Sequence, residues 1–183
     1  MATRVVSAPL AQLPNALTVL RLVAIPVFVV LMVGTDGDGS YALAGLFAAA
    51  ALTDQIDGYL ARRWHVESEF GKFADPLADR LMIDAAVLLL CIDGRLPWLA
   101  LGIVLGRDVL LIGGYRLVRE RGYEFSVSTA GKIATWVLYA AITGVIASDQ
   151  GTDWPLWLFW TGVGLAVIAA VLYVAGARSE VRR

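Results

Sequence analysis

Cysteine occurs once in the 183 residues, at Cys91, and charged residues make up only 17% of the chain. A single thiol excludes an intramolecular disulfide and a cysteine-based zinc site. Its setting, Val87-Leu88-Leu89-Leu90-Cys91-Ile92, reads as apolar packing. The shortage of charge stands against 58% hydrophobic residues and a mean hydropathy of +0.70. A soluble domain of this length needs more polar surface than that, so the excess apolar side chains call for lipid as their solvent. The net charge of −1 carries little as a total, and no nucleic-acid partner is expected. Internal repeats, low-complexity tracts and linkers are absent, which leaves one domain spanning residues 1–183. Residues 1–13 lack a long apolar core before a cleavage site, so no cleaved signal peptide is expected. They alternate small and apolar positions with Arg4 and Gln12, a pattern suited to a short helix on the membrane surface or to a tail.

What the chain does have is apolar runs of spanning length, about 20 residues each. They lie at about Asn15 to Val33, Tyr41 to Arg62, Asp75 to Ile92, Pro97 to Leu117, Ala130 to Ala147 and Trp154 to Gly176. The runs are unbroken rather than alternating, which predicts helices and not barrel strands. The expected fold is an all-α integral membrane protein with six transmembrane helices. Charge sets its orientation. With a cytoplasmic N-terminus, the outer loops hold Asp36, Asp38, Asp93, Asp149 and Asp153 but only one basic residue, Arg95. The inner segments hold Arg4, Arg62, Arg63, Lys72, Arg116, Arg119, Arg121, Lys132, Arg178, Arg182 and Arg183. The positive-inside rule therefore predicts a multi-pass protein of the cytoplasmic membrane with both termini inside. His65 reads as a solvated loop residue, and Asp36-Gly37-Asp38-Gly39 as an outer turn too short for a calcium loop.

Chemistry concentrates between Asp54 and Asp79. At about 100° per residue, Asp54, Asp57, Gly58 and Ala61 share one stripe at the end of the second helix. Asp75 and Asp79, four apart, share a stripe at the start of the third. A short connection predicts antiparallel neighbours, so four carboxylates converge at the inner membrane face. Such a cluster is prohibitively costly without a cation. An all-oxygen donor set favours Mg²⁺ or Mn²⁺ over zinc. Four carboxylates suit two metals per site, an arrangement that clamps a phosphoryl group and its leaving oxygen. Gly58, Ala61 and Gly71 leave room for a flat base and a diphosphate to approach the backbone. The bland readings are that Asp75-Pro76 is a helix N-cap followed by a first-turn proline, and that Asp54 and Asp57 are solvated. Thr53, Ile56 and Leu60 continue the apolar helix around the first pair, which argues against solvation.

Further charges fall inside the spans: Arg21 in the first, Asp84 in the third, Arg107-Asp108 in the fourth. Charges at depth pair with one another or line a cavity. Arg21 and Arg107 are candidates for binding a substrate phosphate, while Asp84 reads as structural, neutralising an arginine. A cation transporter would also place acidic residues among six helices, but near the bilayer midplane on broken helices. Here they sit at a helix–water boundary beside Arg62 and Arg63.

The composite Asp54-x-x-Asp57-Gly58-x-x-Ala61-Arg62, then eight residues, then Gly71-x-x-x-Asp75-x-x-x-Asp79 resembles the signature of the CDP-alcohol phosphotransferase family at every fixed position. The resemblance implies a six-helix membrane enzyme, commonly a homodimer. It would transfer a phosphatidyl group from CDP-diacylglycerol to an alcohol and release CMP. It implies Asp54, Asp57 and Asp75 as principal metal ligands. Asp79 would complete the metal set and act as general base toward the acceptor hydroxyl. Gly58, Ala61, Arg62 and Gly71 would line the nucleotide site, and Arg62 is also explained by snorkelling. The opening Leu13-Pro14-Asn15-Ala16-Leu17-Thr18 with Arg21 resembles the start of two branches, the phosphatidylglycerophosphate synthases and the cardiolipin synthases. It adds Asn15 and Thr18 to the donor site, and Lys132 joins Arg21 and Arg107 as acceptor-binding candidates. Gly106-Arg107-Asp108 resembles the cardiolipin-synthase form. Gly131-Lys132-Ile133-Ala134-Thr135 departs from the Gly-Lys-x-Lys-Thr of the other branch. Losing that second lysine should weaken binding of a phosphomonoester dianion. The expected acceptor is therefore phosphatidylglycerol, with glycerol 3-phosphate as the alternative and inositol phosphate behind both.

Overall fold

The structure, a computed structural model, describes residues 23–35, 39–64, 69–119 and 129–181, with side chains at 23–35, 39–53, 80–110 and 131–172. Among the described residues there are six helices and no strand: α1 (Val23–Val33), α2 (Tyr41–Trp64), α3 (Glu69–Ile92), α4 (Trp98–Arg119), α5 (Thr129–Ala147) and α6 (Trp154–Val181). Residues 1–22, Asp36 to Asp38 and His65 lie outside the described residues, and with them the expected surface helix, Asn15, Thr18 and Arg21.

Each helix coincides with an apolar run. The α5–α6 pair is the most extensive packing surface, and α5 also meets α2 and α3. Small residues permit the close approach, as is usual where helices pack in lipid. A Cβ on Gly162 would stand 3.1 Å from the Leu138 side chain, and one on Gly144 would stand 2.7 Å from the Trp154 ring. Around this pair a continuous core forms from residues such as Phe28, Phe47, Leu90, Leu138, Ile142 and Phe159, each with essentially no exposed surface. A line of rings ties α1 to α2 and α2 to α5: Phe28 and Phe47 have centroids 5.5 Å apart, Phe47 and Tyr139 5.8 Å. Only the segment Trp154–Leu172 of α6, with a mean hydropathy of 2.0, is by itself long and apolar enough to cross a membrane among the described residues. Val23–Val33, Tyr41–Thr53 and Gly131–Ala147 are shorter apolar helical stretches among the described residues.

One difference from expectation matters for the site. The third helix begins at Glu69, six residues before Asp75. Asp75 and Pro76 are therefore inside α3, and the N-cap reading of that pair does not hold. Glu69 on the first turn suits the positive end of the helix dipole. Pro76, lacking an N–H, cannot bond back to the carbonyl of residue 72, so the helix loses one rung close to Asp75.

At the opposite end of α3 the connections are closed tightly. Gly94, with φ of +71°, takes the left-handed turn that ends the helix, and Arg95 N–H donates to the Leu90 carbonyl at 2.8 Å. The Arg95 guanidinium donates to the carbonyls of Val145 and Ser148. It satisfies the orphan acceptors at the end of α5 and complements the negative end of that helix. The single basic residue among the expected outer loops is thus explained as a cap. Gln150 Nε2 donates to the Asp93 carbonyl at 3.1 Å, and Ser40 N–H donates to the Ile146 carbonyl at 2.8 Å. Gly39 fits only because it lacks a side chain, since a Cβ there would come within 2.6 Å of the Ser148 carbonyl carbon.

Substituting Arg95→Met keeps the apolar stem and removes both charged donors. The expected cost is roughly 1.5–3 kcal/mol, read as a lower thermal midpoint in detergent. Turnover at room temperature should be unchanged, because the capped end is remote from the acidic pairs. An unaltered midpoint would remove the cap from the account.

Candidate functional site

The tied end fixes the heights of everything else. Because Ser40 meets Ile146, α2 and α5 run in opposite directions from a common level. Asp54 is 13 residues along α2 from Tyr41, and Lys132 is 14 residues back along α5 from Ile146. At 1.5 Å per residue both are about 20 Å from the tied end. Counted back from Asp93 along α3, Asp79 lies at about 21 Å and Asp75 at about 27 Å. The two acidic pairs and the start of α5 therefore share one level. Helix α2 touches α3, and only residues 65–68 separate them.

The site candidates divide by what the structure describes. Asp54, Asp57, Gly58, Ala61 and Arg62 fall on the last turns of α2, and Gly71, Asp75 and Asp79 on the first turns of α3. The side chains of these eight residues lie outside the described ones. Register alone keeps Asp54 with Asp57, and Asp75 with Asp79, on one stripe of their helices. Among the described residues no group of three or more His, Cys, Asp or Glu side chains gathers as a metal site.

One level deeper stands a network that the sequence reading only half anticipated. Arg80 Nη1 lies 3.0 Å from Asp108 Oδ1 and donates to the Asp108 main-chain carbonyl at 3.3 Å, which ties α3 to α4. Arg107 Nη1 stands 3.4 Å from the same carboxylate oxygen. Asp84 feels the charges of Asp108, Arg80 and Arg107, and its Oδ1 and the Arg107 Nε are buried without a hydrogen-bond partner. Two arginines and two aspartates sum to zero charge, which is what burial at this depth demands. The aspartate within ion-pair distance of Arg80 and Arg107 is Asp108, and not Asp84 as the sequence suggested. Arg107 also lines a small cleft with Ile103, Val104, Leu138, Val163, Ala166 and Val167. The residue missed in the sequence is Arg80. Its signal was present in the i, i+4 spacing of Arg80 and Asp84, at the depth of Arg107-Asp108 on the next helix.

This network bears on whether the acidic pairs suit a cation. Arg80, the basic residue adjoining Asp79, is committed to Asp108. Four carboxylate positions at one level, with their neighbouring guanidinium engaged elsewhere, remain a donor set that fits a hard divalent ion.

The start of α5 requires a correction. Lys132 is exposed, but Ala134 is fully buried in the helical core. Two residues along a helix turn through about 200°, so the two positions face opposite ways. The Thr135 hydroxyl bonds back to the Gly131 carbonyl at 3.0 Å. Position 134 is a packing position, and an alanine there carries no information about the charge of an acceptor. The expected result for Ala134→Lys is therefore loss of folded protein, since overpacking costs about 1–3 kcal/mol and burying an ammonium adds several more. Yield and thermal midpoint after purification check this. A folded variant with altered acceptor use would restore position 134 to the acceptor site.

Comparison with known proteins brings these positions together. A sequence profile described as CDP-alcohol phosphatidyltransferase matches residues 11–171. A protein of Mycobacterium tuberculosis named as a probable phosphatidylglycerophosphate synthase is 36% identical over 182 residues, covering 95% of this chain and 85% of that protein. The Escherichia coli K12 CDP-diacylglycerol–glycerol-3-phosphate 3-phosphatidyltransferase is 29% identical over 180 residues, covering 92% of this chain and 96% of that protein. An Arabidopsis thaliana protein of the same printed activity is 32% identical over 182 residues, covering 92% and 77%. The last two carry the name of the second acceptor weighed above, glycerol 3-phosphate, the first is named for phosphatidylglycerophosphate, and none of the three is named for cardiolipin.

Proposed function

The chain belongs to the CDP-alcohol phosphatidyltransferase family, and from that premise we propose that it transfers the phosphatidyl group of CDP-diacylglycerol to glycerol 3-phosphate, releasing CMP. Phosphatidyl transfer in phospholipid biosynthesis is the activity of the family and leaves the transporter reading without support. The choice of acceptor is supported by a bacterial and a plant relative named for glycerol 3-phosphate and by a second bacterial one named for phosphatidylglycerophosphate, each aligned over nearly the whole chain. Burial of Ala134 supports it by removing the main argument for phosphatidylglycerol.

Asp54, Asp57, Asp75 and Asp79 would hold two Mg²⁺ or Mn²⁺ ions. When bound, these ions supply the positive charge that neutralises the diphosphate and the departing CMP. Asp79 takes the proton of the acceptor hydroxyl as its oxygen bonds to the phosphorus bearing the diacylglycerol, and the bond from that phosphorus to the CMP oxygen breaks. Gly58, Ala61, Arg62 and Gly71, with Asn15 and Thr18, line the donor site. Exposed Lys132, at the level of the acidic pairs, suits the phosphate of the acceptor, with Arg21 and Arg107 as further candidates.

The family is membrane-associated. Six spans, both termini in the cytoplasm and a site open on that side complete the proposal. Exposed apolar side chains support them, among them Val30 on α1, Val109 on α4 and Val171 on α6. So do aromatic residues at the tied end: Tyr41, Trp98, Trp154 and Trp157 begin α2, α4 and α6 and are 58–85% exposed, as interfacial belts are. A homodimer is the family's common form and is kept as part of the same proposal.

The test offers purified protein CDP-diacylglycerol with glycerol 3-phosphate, phosphatidylglycerol or inositol phosphate in separate reactions. Phosphatidylglycerophosphate from the first, with little product from the others, is expected. Cardiolipin as the main product would reverse the choice of acceptor and leave the family unchanged.

A further inference from the structure

The Arg80–Asp108 contact joins two helices 28 residues apart in sequence, and it does so one residue after Asp79. We propose that Asp108 is a positioning residue: by latching Arg80 to α4 it fixes the rotation of α3 about its own axis and so aims the Asp75–Asp79 stripe. The inference rests on the metal-site reading of the four aspartates.

On a helix Arg80 is about 100° from Asp79 and about 140° from Asp75. Asp84 is about 40° from Arg80, so the register of α3 gives two separate polar faces, Arg80 with Asp84 and Asp75 with Asp79. Apolar packing already favours one side of α3, with Met82, Ala86 and Leu90 buried and Leu81 and Leu88 exposed. Packing sets the angle of a helix less sharply than a directional contact does. A directional contact supplies the sharper resistance to rotation. Arg80 donates one hydrogen bond to the Asp108 main-chain carbonyl at 3.3 Å, and its charge stands 3.0 Å from the Asp108 carboxylate. The main-chain contact fixes depth as well as angle. Arg107 Nη1 stands 3.4 Å from the same carboxylate oxygen.

Energetics point the same way. A buried ion network contributes little net stability, and well-packed apolar residues often do as well or better. The network is not even saturated, since Asp84 Oδ1, Arg107 Nε and Asp108 Oδ1 have no hydrogen-bond partner. Stability is a poor reason to keep two arginines and two aspartates at depth. Orientation is a better one, because misplacing a reacting group by about 1 Å can cost on the order of a hundredfold in rate.

The experiment uses the full chain, purified in lipid and detergent, as Asp108→Asn, Arg80→Gln, the double variant and Asp108→Glu. The single changes should each lower kcat by about a hundredfold, with KM for CDP-diacylglycerol little changed. The double variant should be no worse than the poorer single, because both break one contact. Asp108→Glu should recover much of the rate. Each single variant should lower the metal-free thermal midpoint, because it leaves one buried charge unbalanced, and the double variant, which restores neutrality, should regain part of it. The rise produced by Mn²⁺ should shrink in the singles and in the double alike. Arg80→Gln isolates the latch, since it leaves Arg107 paired with Asp108, and it carries the test alone if Asp108→Asn fails to fold. Wild-type kcat or a wild-type Mn²⁺-induced rise in Arg80→Gln, multiplying losses in the double variant, or a rate that recovers with the midpoint in the double variant overturns the latch. A wild type with neither Mn²⁺-induced stabilisation nor metal-dependent turnover overturns the metal-site reading and the latch with it.

Discussion

Asp54→Asn should lose CMP release by roughly a thousandfold or more, while the protein still folds. Asparagine is nearly isosteric with aspartate, so packing of α2 is preserved. What disappears is one formal negative charge and an ionised oxygen from a site built of such oxygens. The divalent ion would then be held more weakly and aimed less well at the diphosphate, both of which weaken transition-state charge stabilisation. Folding is expected to survive because removing one of four like charges relieves repulsion in the metal-free protein. The pairing of results is what checks the assignment: turnover lost, metal-free thermal midpoint kept or raised. Turnover near wild type would remove Asp54 from the metal set.

Chelation is the second large effect. With EDTA in excess over divalent ions, CMP release from the wild-type enzyme should fall to background, and added Mg²⁺ or Mn²⁺ should restore it. Without an ion the four carboxylates face an anionic diphosphate across a few ångströms. Like charges at 4 Å repel by about 4 kcal/mol at an effective dielectric constant of 20, so the donor should bind poorly as well as react slowly. Fluorescent CDP-diacylglycerol binding separates the two. Full activity in chelator would contradict the hard-ion reading of the site.

Much of the fold was legible because hydrophobic length is a direct physical signal. Each expected apolar run overlaps a described helix, and the helix ends at Val33, Ile92 and Ala147 match those anticipated. The start of α3 was misjudged. Asp-Pro is so good an N-terminal signal that it masked the helix running back to Glu69. Orientation of side chains around an apolar helix was far less legible. When every face is apolar, composition cannot say which face meets a neighbour and which meets lipid. Ala134 was therefore read as facing an acceptor when it packs in the core. For the same reason the sequence does not show that Asp108 meets Arg80 across two helices. The acidic motif is legible only as two stripes, because spacings of three and four residues share a face on any helix, and its side chains lie outside the described residues. Arg95 shows the converse, a residue that breaks the charge pattern and turns out to cap α5.

The central claim is that two acidic pairs, on the end of α2 and the start of α3, form one metal centre. Anomalous scattering from Mn²⁺ in crystals of the wild-type enzyme tests it most directly. The account predicts manganese peaks between α2 and α3, at the level of Lys132, with oxygens of Asp54, Asp57, Asp75 and Asp79 about 2.0–2.6 Å away. Manganese bound elsewhere, or Asp75 and Asp79 turned toward lipid and away from the α2 pair, would contradict it.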